Sequence, residues 1–157
     1  MANFPTIRGR SATAGHDQGE KAYVSVYNLV GAEVVPGTPL CFSHTASDGV
    51  SAVLPVIAAN ASNFAMLAGI AEDTIASGDY SSKVVAKGIV SARVYGIATT
   101  LVAGANLCLI STESYIHYGS AGQFAGSTAT GQPIAFTALA TNATVDTTAQ
   151  NVYINAL

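Results

Sequence analysis

The stretch from Val84 to Tyr95 reads VVAKGIVSARVY. Its even positions, Val84, Ala86, Gly88, Val90, Ala92 and Val94, form an unbroken apolar face. Its odd positions, Val85, Lys87, Ile89, Ser91, Arg93 and Tyr95, are mixed. Alternation with period two is hard to obtain from a helix, whose apolar residues recur every three or four positions. The stretch therefore predicts a half-buried β-strand, with Gly88 marking a bulge or sharp bend inside it.

The flanking sequence extends the same reading. AYVSVYNLV, from Ala22, is rich in β-branched and aromatic residues and reads as a strand ending near Gly31. Pro36-Gly37 predicts a β-turn, because proline suits its second position and glycine supplies positive φ at its third. A short strand over Leu40 to Ser43 follows, then the polar loop HTASDG. VLPVIA is strand-like despite Pro55, which places it at a sheet edge or bulge. QPIAFTALAT and NVYINAL give two late strands, the second with Val152, Ile154 and Ala156 on one face. Helix signals are sparse: one turn over Glu72 to Gly78, ended by Gly78, and another over Asn60 to Phe64. Many short strands with Gly, Pro and Thr-rich connections predict an all-β fold, a compact β-barrel or β-sandwich.

One pattern recurs. Val35, Gly37, Leu40 and Cys41 in VVPGTPLCF return as Val102, Gly104, Leu107 and Cys108 in LVAGANLCL, each displaced by 67 positions. The domain over 21–157 is accordingly read as two β-rich halves of duplicated topology, 32–98 and 99–157. Residues 1–20 lack hydrophobic periodicity and contain Pro5, Gly9, Gly15 and Gly19. They read as an extended N-terminal arm whose large apolar side chains, apart from Met1, are Phe4 and Ile7.

Composition narrows the function. Charged residues are 10% of the chain and hydrophobic residues 50%, against roughly 25% charged in an average soluble domain. So few charges point to a surface hidden in a membrane or in a large protein contact. Gly, Thr, Asn, Ser and Pro interrupt every charge-free stretch before it reaches the ~20 apolar residues of a spanning helix. The N-terminus has no apolar core of the kind a signal peptide needs. A subunit of a protein assembly is the expectation. A net charge of −3 argues against nucleic acid as the main partner.

The chemistry-bearing residues do not assemble into a catalytic pattern. Cys41 has His44 three positions later, but Cys108 has Ser111 at that offset, so both cysteines read as buried structural thiols. His16, His44 and His117 are scattered, without zinc spacing, and no metal or other cofactor is expected. Glu72-Asp73 is read as favouring the N-terminus of its helical turn. No enzymatic activity is expected.

LAGIAEDTIASGDYSSKVVAKGIVSARV, from Leu67 to Val94, resembles the capsid decoration (cement) proteins of tailed bacteriophages. In these a Gly-hydrophobic-Ala segment precedes a short acidic turn, a Gly, and a Val-rich strand broken by Gly. Here these elements are Gly69-Ile70-Ala71, Glu72 to Ile75, Gly78, and Val84-Val85 through Gly88. The Gly37-x-x-Leu40 turn and the approach from Ala22 also fit, and the resemblance covers residues 20–110 best. The second half departs from it, with Phe136 where Gly69 maps and Asn155 where Gly88 maps.

The resemblance implies a small β-rich subunit on the outer capsid surface of a virion, made in the host cytoplasm. It implies a homotrimer at threefold or quasi-threefold positions, bridging major capsid protein subunits against the pressure of packaged DNA. Within that reading Phe4 and Ile7 are apolar anchors of a capsid-facing arm, and Arg8 and Arg10 pair with capsid carboxylates. Lys87 and Arg93, on one strand face, contact the capsid or a neighbouring subunit. The alternative is another β-rich virion component, such as a head-fibre or tail base protein.

Overall fold

The computed structural model describes residues 21–55, 57–58, 61–63, 66–96, 103–104, 106–109, 112–118, 136–138 and 149–156. Its strands are β1 (Ala22–Asn28), β2 (Pro39–Phe42), β3 (Ser51–Val53), β4 (Ile57–Ala58), β5 (Ala61–Ser62) and β6 (Leu67–Ala71). They continue with β7 (Tyr80–Gly96), β8 (Asn106–Cys108), β9 (Ile116–Tyr118), β10 (Phe136–Ala138) and β11 (Ala149–Asn155). No α-helix occurs among the described residues, and the fold is all-β. No helix among them is long and apolar enough to cross a membrane.

β7 is the alternating stretch of the sequence, extended at both ends. Val84, Ala86, Val90, Ala92 and Val94 are buried as the alternation requires, while Lys87 and Ser91 are exposed. Val85 departs from the pattern and is fully buried. It packs on the opposite face of the strand, in a core that includes Cys41, Leu67 and Ile70. Gly88 has φ of 116°, a conformation that residues with a Cβ rarely adopt. It lies where β7 passes from one antiparallel partner to the next: β1 pairs up to Lys87, and β11 pairs from Lys87 to Arg93.

The long strand is shared by two closed circuits. One runs from β7 through β1, β3, β2 and β6 back to β7, and the other through β11, β10, β8 and β9 back to β7. Each has one parallel joint, β1 with β3 and β9 with β7, and antiparallel joints elsewhere. The architecture is thus a mixed sheet folded back twice onto one strand, not a clean barrel.

The register shows a correspondence between the circuits. Leu40 pairs with Gly69 in the first, and Leu107 with Phe136 in the second, 67 residues on. Tyr23–Val85 and Val24–Val84 correspond in the same way to Val90–Val152 and Ser91–Asn151. In these pairings the first unit begins at β1, and its counterpart begins inside β7.

Two cores fill this frame. Val26, Val34, Leu40, Ala52, Ala68, Ala71, Ile75 and Val84 make one. Val90, Ala92, Val94, Leu107, Leu109, Ile116, Val152 and Ile154 make most of the other, which reaches across to Cys41, Leu67, Ile70 and Val85 of the first circuit. Burying each Val, Leu or Ile side chain contributes about 1.5–3 kcal/mol, so this shared core holds the circuits together.

Three local expectations are corrected. Glu72 to Gly78 forms bends and an isolated bridge, not a helical turn. Ile75 is drawn into the first core, and its backbone exchanges two hydrogen bonds of 2.9 Å with Val34. The buried Asn28 amide supports the same loop by donating toward the carbonyls of Ile75 and Ala76, at 3.0 and 3.1 Å. Tertiary contacts outweigh a weak helical preference here. Within the second expected helical turn, Ala61 and Ser62 form β5, paired with β4. VLPVIA is interrupted, since Leu54 and Pro55 lie outside both β3 and β4. Proline has no N–H to give to a ladder, which accounts for the break.

Candidate interaction surface

The Pro36-Gly37 turn is where the two circuits meet outside the core. The Thr38 N–H donates to the Val35 carbonyl at 3.3 Å, closing the turn, and Gly37 has φ of 86°. The Gly37 N–H donates to the Ala71 carbonyl at 2.8 Å, and the Gly37 carbonyl accepts from the Arg93 N–H at 3.0 Å. This turn of the first circuit therefore docks directly on the second half of β7.

Beside it lies a cleft of about 410 Å³ lined by Lys21, Pro36, Gly37, Glu72, Ile89, Val90, Ser91, Ala149 and Asn151. Its lining is mainly apolar, from Pro36, Ile89, Val90 and Ala149. Its charged wall is a local network: Glu72 pairs with the Lys21 ammonium and accepts from the Tyr23 hydroxyl at 2.8 Å. These two donors, Lys21 first, hold the Glu72 carboxyl below its ordinary pKa. The same carboxylate raises the Tyr23 phenol. The role expected for Glu72-Asp73, favouring a helix N-terminus, is replaced by this pairing. Asp73 is exposed, with the Lys83 ammonium 3.8 Å away.

The residues singled out in the sequence fall in different places. Phe4, Ile7, Arg8, Arg10 and the whole 1–20 arm lie outside the described residues. Lys87 is exposed at the crossing point of β7, between Ala22 of β1 and Asn155 of β11. Arg93 is half-buried and donates to the Ser114 hydroxyl at 2.9 Å. The two basic residues are thus not equivalent: Lys87 presents its charge to solvent, whereas Arg93 is engaged within the fold.

The thiols sit in apolar settings. Cys41 is fully buried, and burial pushes its pKa up to about 12. Cys108 is half-buried and also raised by burial. His44 is exposed on the loop after β2. The register places His117 opposite Cys108, a proximity that the sequence separation does not reveal. The Cys108 thiol is 3.7 Å from the His117 backbone carbonyl. The His117 ring belongs to an aromatic cluster with Tyr95 and Tyr115, at centroid distances of 5.3 and 5.0 Å. Burial lowers its pKa to about 4, against a smaller opposing pull from Glu113. With the thiol raised and the imidazole lowered, the two do not form a thiolate–imidazolium ion pair at neutral pH. Among the described residues, no group of three His, Cys, Asp or Glu side chains could hold a metal ion.

Neither the cleft nor the aromatic cluster was legible in the sequence. Both depend on the pairing of β7 with distant strands, and no local motif carries that information.

No known protein family matches this sequence, and no curated protein matches it. Among solved structures the chain is similar to the N-terminal base of head fibre gp8.5 of bacteriophage phi29. That match has a TM-score of 0.49 and 11% sequence identity, covering 87% of this chain and 96% of the other. Nothing about partner or activity follows from a match at that level.

Proposed function

We propose that this chain is a structural virion protein that binds the outer surface of an assembled phage capsid and cements neighbouring major capsid subunits. The observation that carries the proposal is the stretch from Leu67 to Val94 and the structural duty of its glycines. Gly69, Gly78 and Gly88 all have positive φ, at 149°, 80° and 116°. Gly69 lets β6 close on β7, Gly78 lies in the turn into β7, and Gly88 lies where β7 changes partner. The stretch that resembles decoration proteins thus coincides with the β6–β7 pair and its turns, which supports this reading.

Composition and topology support a binding role rather than catalysis. A chain with 10% charged residues suits a protein that covers much of its surface with partners. Among the described residues every strand of the large sheet has at least two partners, although β1 meets β3 only at Tyr27 and Asn28. The proposed contacts go through side chains and through the arm. Tyr80 at 73% exposure, with Tyr23, Leu29, Val35 and Met66 also exposed, supplies apolar contact area. A homotrimer at threefold positions would add avidity without stronger individual contacts. Phe4, Ile7, Arg8 and Arg10 are the proposed capsid-facing arm residues, and Lys87 is the proposed basic contact on the body.

The test is co-sedimentation of the purified protein with undecorated mature capsids. Saturable binding at micromolar concentration is expected, and deletion of residues 1–20 is expected to weaken it. No binding at that concentration removes the cementing reading and leaves a head-fibre or tail base component as the alternative.

A further inference from the structure

The cleft beside the Pro36-Gly37 turn is lined mainly by apolar residues, with the paired Lys21 and Glu72 on one wall. Lys21, the first described residue, forms part of its wall through the pairing with Glu72. Residues 1–20 therefore join the body at the rim of this cleft. Their large apolar side chains, apart from Met1, are Phe4 and Ile7, and Arg8 and Arg10 follow at once.

We propose that the cleft is the docking site for the chain's own Phe4–Ile7 segment in the free subunit. The geometry allows it. The residues between Ile7 and Lys21 span up to roughly 45 Å when extended, far more than a return to the rim requires. Gly9, Gly15 and Gly19 permit the reversal. A cleft of about 410 Å³ is of a size to take a few apolar side chains. The apolar lining of Pro36, Ile89 and Val90, with exposed Ala149 at the rim, matches Phe4 and Ile7.

Tethering decides between this occupant and a second copy. Lys21 is fixed at the wall, so the segment is present at an effective concentration on the order of millimolar. Another molecule's arm must compete with that. The consequence for assembly rests on the capsid reading above: the arm's anchors are stowed in the free subunit and released when a capsid surface offers better contacts. Docking in the free protein does not depend on that reading.

The chain has no tryptophan, so Phe4→Trp installs a single reporter. Selective tryptophan excitation of the full-length variant is expected to give blue-shifted emission and several-fold protection from iodide quenching. The signal should be unchanged on dilution. Ile89→Asp in the lining, and separately Ala149→Glu at the exposed rim, are expected to abolish both effects, while Met66→Glu is expected to leave them intact. Because Ala149 is exposed, its variant keeps the test valid if Ile89→Asp does not fold. Solvent-like emission in the parent variant overturns the proposal. So does protection insensitive to Ala149→Glu, and protection lost on dilution assigns the site to a second copy instead. Capsid co-sedimentation of the same variants reads the cementing function separately.

Discussion

Gly37 and Gly104 offer a controlled measurement of how the two circuits are joined. They occupy corresponding turns, with φ of 86° and 84°, so replacing either with alanine imposes nearly the same backbone strain. That strain is about 1–2 kcal/mol. The surroundings differ. A Cβ on Gly37 would lie 2.8 Å from Arg93 Cγ, 2.9 Å from Arg93 N and 3.3 Å from the Ala92 carbonyl carbon, whereas a Cβ on Gly104 meets nothing within 4 Å. The Arg93 side chain can move, but its backbone nitrogen is held in β7 and donates to the Gly37 carbonyl. Overpacking of this kind adds about 1–3 kcal/mol. Gly37→Ala is therefore expected to destabilise the protein by about 2–5 kcal/mol, and Gly104→Ala by about 1–2 kcal/mol. Urea unfolding of both variants reads the difference as a shift in midpoint at unchanged slope. Equal losses would show that the first turn is not seated on β7, and the described junction between the circuits would be wrong.

Acid should weaken the fold through His117, whose pKa is lowered to about 4. A depressed folded-state value means the unfolded chain binds the proton more readily. The associated stability is complete above the ordinary value near 6.5 and is lost as pH falls toward 4. The loss between pH 7 and 4.5 is about 2–3 kcal/mol, measured as the difference in urea stability between the parent and His117→Gln; an equal pH dependence in both would exclude this imidazole as the source. Glu72→Gln is expected to let the Tyr23 phenol fall back toward its ordinary pKa, visible in an ultraviolet phenolate titration. Its stability cost should stay below about 1 kcal/mol, because the network is solvent-accessible. In the native protein Cys41 should resist a thiol reagent at pH 8, and Cys108 should react slowly; both should react at once after unfolding. Rapid native labelling of Cys41 would contradict its burial.

The legible part of the fold was the part with local causes. Alternation in Val84–Tyr95 located β7 and Pro36-Gly37 located the turn, because each depends on residues adjacent in sequence. What required the structure was set by pairing at a distance. Ile75 looked like part of a helical turn until Val34 and the first core claimed it. Val85 sat on the mixed face of the alternation, yet it is buried because the second core reaches the other side of β7 there. The short strand β9 has no periodicity of its own and exists as a partner for β7 and β8. The same reasoning applies to the surface. Lys87 and Arg93 looked alike in sequence, and only the Ser114 contact separates them.

Cementing is a mechanical claim, and its most direct test is mechanical. DNA-filled capsids lacking decoration would be heated with and without saturating protein while DNA release is followed by dye fluorescence. If the chain clamps neighbouring capsid subunits, release is expected at a higher temperature in its presence, with the gain reduced for the chain lacking residues 1–20. Protein that sediments with the capsids yet leaves the release temperature unchanged would contradict the account.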